Sequence, residues 1–327
     1  MMNITNTIDF HIEEETAVAI GKFDGIHKGH EKILQELLAR KSKGLKTVVF
    51  TFDTPPTSVF YGKNQKVLTT NAEKRAMLES FGVDYLIEFP FYEETAAISA
   101  EAFIEDILVN RLHMKAIIAG TDCRFGHKGL GDRVLLQKYG ELYQYETVIV
   151  TKELYQGQEI SSSFIRGEIE SGSMELANEM LMMPYSLIGE VVHGRKFGRT
   201  LGMPTVNLIP EEHKLLPPNG VYLSKVSCNG VLYDGITNIG CKPTVDGDIK
   251  NGVETYIYQF HQDVYGDVVV VSLLEYQRPE MKFPSVEDLK QQMQSDIVSG
   301  EQWHTKYRKK YEKFVEMPCK FVHLPLK

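Results

Sequence analysis

Cysteine is scarce in this chain: 327 residues hold four, Cys123, Cys228, Cys241 and Cys319, with no C-x-x-C spacing among them. Neither a disulfide framework nor a zinc site is indicated, and the four read as free thiols. Long apolar runs are missing too, so no stretch has the length of a membrane span. The opening residues, MMNITNTIDFHIEEE, are polar and acidic and lack the basic and apolar regions of a signal peptide, which predicts a cytoplasmic protein. A surplus of positive charge is also absent. The formal net charge of −8 argues against nucleic acid as a partner, while leaving room for a local basic pocket for a nucleotide. Hydrophobic residues at 43% and charged residues at 24% suit a globular protein, and 327 residues suffice for two domains, each with its own core.

What is present centres on residues 17–38, AVAIGKFDGIHKGHEKILQELL. An apolar, β-branched run ends at Ile20, a glycine-punctuated loop follows, and Ile33, Leu34, Leu37 and Leu38 recur at helical spacing. His27 and His30 lie three apart at the predicted helix start, beside unpaired backbone N–H groups and the positive end of the helix dipole, which is a place for phosphate. Gly21, Gly25 and Gly29 remove side chains where a nucleotide approaches, and Asp24 can bond the turn or a substrate group. The plainer reading is a turn with two solvated histidines.

Strands are predicted at 47–52, 85–89 and 115–119, with a helix opened by the capping-box spacing Thr70 to Glu73 and closed at Gly82, and another begun by Ser99. This alternation predicts a parallel sheet wound on both faces, with ligands at the strands' carboxyl edge. Two further loops leave from that half. Asp122, Arg124 and Phe125 stand in a glycine-rich loop, where arginine can pair with phosphate and phenylalanine can stack on a ring; alternatively the charges are solvated and Phe125 is core. Ser161, Ser162 and Ser163, with Arg166 one turn on, exceed what an N-cap needs and read as a second phosphate grip.

Helical patterning gives way to short strands near Pro184, which sets the expected domains at 1–184 and 185–327. Strands at 186–192 and 220–226, an Asn229-Gly230 turn, and a further hairpin across Tyr265-Gly266-Asp267 predict a small antiparallel barrel. Helices follow it, one opened by Ser285 and a charged one running to about Phe314. The loop around Gly198, Thr200 and Gly202 is glycine-rich and basic, suited to an anion, but lacks the G-K-[ST] ending of a Walker A sequence. After Pro204, Thr205 and Asn207 offer hard oxygens to a nucleotide-bound metal, or form an ordinary turn. Glu254 heads a strand as a general base or as an exposed charge.

Taken in order, GKFDGIHKGH, TDCRFG with its following GD, and ISSSFIRGEIESGSMELANEML resemble the N-terminal half of the prokaryotic bifunctional riboflavin kinase/FAD synthetase family. GRKFGRTLGMPTVNL, NGVY, NIGCKPT, VETYIYQFHQDVYG and RPEMKFPSVEDLKQQMQSDI resemble its riboflavin kinase half. The resemblance implies a Rossmann-like nucleotidyltransferase domain followed by a six-stranded antiparallel β-barrel with C-terminal helices. It implies two reactions, phosphorylation of riboflavin to FMN and adenylylation of FMN to FAD, with ATP and Mg²⁺ in both. His27 and His30 would contact ATP phosphates, Gly21, Phe23, Asp24 and Gly29 would shape the loop, and Ser161 to Ser163 with Arg166 would hold the triphosphate. Asp122, Arg124 and Phe125 would line the nucleotide and flavin pocket, Thr205 and Asn207 would meet Mg²⁺-ATP, Glu254 would be the base, and Arg278 would sit in a loop closing near flavin. Two departures fall in the first half: Phe52-Asp53-Thr54-Pro55-Pro56 replaces the family's F-D-P-H-P, and Cys123 interrupts its D-F-R-F-G. Other readings are one active half beside a remnant, or a flavin-binding regulator; the second has no use for a base.

Overall fold

The computed structural model describes residues 1–54, 66–194, 197–243 and 249–311, and divides by contact into two compact units, Met1–Ser162 and Ser163–Lys327. The division comes earlier in the chain than the pattern break near Pro184, because the helices at 162–180 pack with the barrel strands. Asn178, 3% exposed, donates to the Leu273 carbonyl at 2.8 Å and accepts the Tyr185 N–H at 2.7 Å.

In the first unit six parallel strands form one sheet in the order β1 (Asn3–Thr5), β4 (Tyr85–Phe89), β3 (Lys46–Phe52), β2 (Thr16–Ile20), β5 (Met114–Gly120), β6 (Glu146–Val150). Every residue of β2 is buried, as a central strand covered on both faces requires. Helix α1 (Lys28–Ala39) follows β2, and α2 (Asn71–Phe81) joins β3 to β4. The Thr70–Glu73 capping box closes in both directions, at 3.2 and 2.9 Å, and Gly82 ends α2 in the left-handed region at φ +84°. Ser99 caps the next helix as its position predicts, but the winding then loosens to a π-helix, α3 (Phe103–Arg111). Its Phe103, Ile104, Ile107 and Leu108 enter the main core with Val18, Val48, Ile87 and Ile117. Helix α4 (Arg133–Tyr143) is capped by Asp132 and leads to β6, after which β7 (Leu154–Tyr155) and β8 (Gln158–Glu159) pair as a short antiparallel hairpin.

The order of the strands matters for function. From β2 the sheet grows through β3 and β4 to one side, whereas β5 returns to the other side of β2. The carboxyl ends of β2 and β5 therefore flank the switch point, where neighbouring loops diverge and leave a crevice.

The second unit opens with helices α5 (Ser162–Ser171) and α6 (Met174–Met180). Six antiparallel strands then close into a barrel, β9 (Ser186–Val192), β10 (Thr205–Leu208), β11 (Gly220–Cys228), β12 (Val231–Pro243), β13 (Ile249–Ile257) and β14 (Val268–Pro279), in the order β10-β13-β12-β11-β14-β9. Asn229 and Gly230 both have positive φ, 47° and 77°, which is the two-residue turn that suits a right-twisted hairpin. The hairpin expected across Tyr265-Gly266-Asp267 does not form. β13 pairs with β10 and β12, while β14 pairs with β11 and β9, because closing the barrel requires β9 between β14 and β10. The Gly266 turn instead bonds to Val191 of β9.

One helix, α7 (Val286–Tyr311), covers the outer face of the barrel, where its Ile297 and Trp303, with Tyr256 of β13, pack on Val221, Leu223 and Ile236. It runs straight through Gly300, where two helices were expected; a Cβ there would lie 2.5 Å from the Tyr258 hydroxyl, so this glycine serves packing rather than a break. The expected helix end at Phe314 lies outside the described residues.

Candidate active sites

The loop after β2 is held from three directions. Asp24 Oδ1 accepts the N–H groups of Leu68 and Thr69 at 2.7 and 3.0 Å, Thr69 Oγ1 accepts the Gly25 N–H at 2.9 Å, and Ser162 Oγ donates to the Asp24 carbonyl at 2.7 Å. Asp24 is therefore occupied as a clamp on its own loop. Gly25 has φ +61°, and a Cβ there would lie 2.6 Å from Leu68, so glycine is needed.

His27 caps α1 with its ring: Nδ1 accepts the N–H groups of Gly29 and His30 at 3.2 and 3.4 Å. With Nδ1 an acceptor, the proton of the neutral ring resides on Nε2. The ring is 7% exposed, and burial lowers its pKa to about 4 against the opposing pull of Asp122. His30 stacks on it with ring centroids 3.8 Å apart, and Phe23 lies behind at 5.0 Å, itself fully buried with φ +48°. His30 Nδ1 accepts the His27 N–H at 3.5 Å and the ring also bonds the Gly25 backbone; burial first, then His27, holds its pKa well below normal. Both imidazoles are thus neutral at pH 7.

A pH dependence follows. The unfolded chain protonates His27 near its ordinary value and the folded chain only near 4. Stability from the neutral ring is complete above about pH 6.5 and declines by about 3 kcal/mol as pH falls to 4, because the unfolded state then binds more protons. His30 acts in the same direction. Melting temperature measured between pH 7 and 4 is expected to fall less steeply in His27→Asn, which keeps a capping oxygen without the titrating ring.

Across the switch point, the loop after β5 carries Asp122, whose carboxylate faces Lys152 at 3.2 Å and lies within electrostatic reach of His27. Arg124 is 63% exposed and pairs loosely with Asp132 at 3.4 Å. Phe125 is not at the pocket surface. It is 6% exposed, packs on Phe103 at 5.5 Å and belongs to the core, where an apolar ring gains more than in a polar crevice. Ser161 lies beside Ser162 at the start of α5, and Ser163 and Arg166 fall in the second unit.

In the second unit a cleft of about 330 Å³ opens between Gly194, Arg199, Pro204, Thr205 and Asn207 on one side and the 260–265 segment on the other. Gly198 and Gly202 stand in the turn that carries Arg199 and leads to Pro204 of this lining: the Met203 N–H bonds the Gly198 carbonyl at 2.8 Å, and a Cβ on Gly198 would stand 2.5 Å from the Met203 oxygen. Thr200 ends a short helical turn there. Thr205 Oγ1 donates to Glu254 Oε1 at 2.5 Å. Register explains the constellation. Asn207, Glu254, Asn238, Val221 and Arg278 are directly paired neighbours on five successive strands, so they form one row on the same face of the barrel. Arg278 does not lie in a closing loop: it ends β14, and its guanidinium is held by Asp296 of α7 at 2.9, 3.1 and 2.5 Å.

Family models for FAD synthetase and riboflavin kinase match residues 9–164 and 181–304. Bifunctional riboflavin kinase/FMN adenylyltransferases of Listeria monocytogenes and Escherichia coli (strain K12) are 36% and 35% identical, each over 89% of this chain and 93% of theirs. The chain belongs to the bifunctional riboflavin kinase/FMN adenylyltransferase family. A solved structure described as a macrolide-efflux protein from Streptococcus pneumoniae is 30% identical, with a TM-score of 0.82 over 91% of this chain and 100% of that one. Among the described residues no helix is long and apolar enough to cross a membrane.

Both catalytic units of this family are therefore present, the adenylyltransferase on the parallel sheet and the kinase on the barrel. Three features in or beside the kinase cleft carry no clear local signal in the sequence. Asn238 was hidden because cross-strand pairing is not visible along one strand. The 260–265 segment, expected within a hairpin, lines the cleft, and its Phe260, His261 and Tyr265 are unusual for a plain turn. His193 stacks on Tyr265 at 3.9 Å and follows β9 without any local signal.

Proposed function

We propose that Glu254 is the base of the riboflavin kinase reaction and that His27 is the phosphate-facing donor of FMN adenylylation. The kinase assignment is carried by the 2.5 Å bond from Thr205 to Glu254 at the edge of the cleft. A carboxylate so positioned takes the proton of the ribityl 5′-hydroxyl as its oxygen attacks the γ-phosphorus of ATP; the bond to the β-phosphate oxygen breaks and ADP leaves. Thr205 and Asn207 offer oxygen donors beside the Glu254 carboxylate, which fits Mg²⁺ shared with nucleotide phosphates better than a metal held by protein alone. When bound, Mg²⁺ offsets charge on the phosphates. Gly198, Gly202, Thr200 and Pro204 shape the rim, and the aromatic 260–265 side suits the base of ATP.

In the adenylyltransferase, a phosphate oxygen of FMN attacks the α-phosphorus of ATP and pyrophosphate leaves. The neutral His27 Nε2–H donates to the phosphates as charge develops, while His30, bonded to the backbone through the same loop, holds that ring in place. Gly21, Phe23, Asp24, Gly25 and Gly29 keep the loop in this shape, and Asp122 and Arg124 line the opposite wall. We assign the adenylyltransferase to 1–184 and the kinase to 185–327, working in the cytoplasm on riboflavin, FMN and ATP. A chromatographic time course with ATP and Mg²⁺, started separately from riboflavin and from FMN, tests both reactions: FMN then FAD is expected in the first tube and FAD in the second. FMN without FAD would remove the adenylyltransferase assignment.

Gly194 offers a finer probe. A Cβ there would lie 2.6 Å from the Asn207 amide nitrogen, so Gly194→Ala is expected to displace Asn207 and lower kinase turnover about tenfold, while FAD formation from FMN stays unchanged. Separate initial rates for the two reactions check it.

A further inference from the structure

Lys74 stands one turn into α2 and is 5% exposed, in a protein whose other lysines are mostly at the surface. Its ammonium has one long contact, 3.5 Å to Asn71 Oδ1, although it carries three donors. Three carboxylates surround it electrostatically, Glu88, Asp24 and Asp53, and each is engaged elsewhere. Glu88 takes the Arg75 guanidinium at 3.1, 3.0 and 2.5 Å, Asp24 Oδ1 takes two backbone N–H groups, and Asp53 Oδ1 takes the Phe91 N–H at 3.1 Å. A buried ammonium this poorly bonded is costly unless an anion completes it.

Its position identifies that anion. The segment leading into α2 is stitched to the histidine loop through Asp24 and Gly25, and Asn71 Nδ2 holds the Asp53 carbonyl at the end of β3 at 2.9 Å. Lys74 therefore sits beneath the loop on its β3 side, within electrostatic reach of His30, whereas the acidic wall of Asp122 lies on the β5 side. With both histidines neutral, the positive charges of the loop are the exposed ammonium groups of Lys22 and Lys28, and Lys74 adds a buried one beneath it. We propose that Lys74 is a phosphate-binding residue of the adenylyltransferase site, supplying a buried cation beneath the histidine loop. The inference rests on that site being the adenylyltransferase. The phosphate belongs either to ATP or to FMN.

The test uses the full chain and compares wild type with Lys74→Met and Lys74→Arg in FAD formation, varying ATP and FMN separately. Lys74→Met is expected to raise one of the two KM values about tenfold or more, the loss of a charge-assisted hydrogen bond, and Lys74→Arg to restore most of it. The substrate whose KM moves identifies the phosphate. Riboflavin phosphorylation by the barrel is expected to stay at the wild-type rate, and Lys74→Gln replaces the methionine variant if that prevents folding of the first unit. Unchanged KM values with a lower melting temperature would mean that Lys74 only balances Asp24, Asp53 and Glu88, and would overturn the proposal. A wild-type chain that forms no FAD from FMN would instead remove the site assignment, and the lysine's role with it.

Discussion

Glu254→Gln is expected to reduce riboflavin phosphorylation by about 10²- to 10⁴-fold, the range lost with a general base, while FAD formation from supplied FMN continues at the wild-type rate. Glutamine keeps the shape of the side chain and an oxygen to accept from Thr205 Oγ1, so the network at the cleft edge survives. Only the ability to take a proton disappears. The parallel-sheet unit has its own core and its own strand set, which makes FAD formation an internal control for folding. A kinase that loses rate with an unchanged KM for riboflavin would match the assigned role, since the base acts on the reacting hydroxyl. Retention of the wild-type rate would leave Glu254 as a partner for Thr205 alone.

The second large effect is expected at His27. His27→Ala removes a donor aimed at developing phosphate charge, worth about 10²- to 10³-fold in rate, and removes the cap of α1, worth about 1 kcal/mol of stability. His27→Asn separates the two contributions, because an asparagine oxygen can accept the Gly29 and His30 N–H groups but offers no ring donor at the same place. Rates of pyrophosphate release from FMN and ATP, set beside melting temperatures, measure them. If the asparagine variant keeps its rate, His27 serves the helix and not the phosphates. Riboflavin phosphorylation is expected to be untouched in either variant.

Much of the architecture was legible because its determinants are local. The Thr70–Glu73 capping box, the left-handed Gly82, the Asn229-Gly230 turn and the apolar strands at 47–52 and 85–89 each act over a few residues, and all are found where the pattern puts them. Cys123 and Cys228 are free thiols as their spacing implies. The three-residue edge strand β1 escaped notice because it is too short to show a period, and forms only by pairing with β4. The π-winding of α3 was invisible for a related reason: the apolar spacing of 103–111 is compatible with a helix of either pitch, and the core selects one.

The sequence by itself determined a glycine-punctuated, two-histidine loop after a strand of a parallel sheet, and a small barrel that carries Thr205, Asn207 and Glu254. Those choices are written in residue type and short-range spacing. Tertiary structure alone decided what each side chain is free to do. It turned Phe125 into the core, tied Arg278 to Asp296, placed Asn238 beside Glu254 by register, sent the 258–267 segment along the cleft instead of into a hairpin, and buried Lys74 under the histidine loop. The physical reason is common to all five. Burial, charge pairing and strand register are set by groups far apart in the chain, and no local pattern encodes which of them will meet.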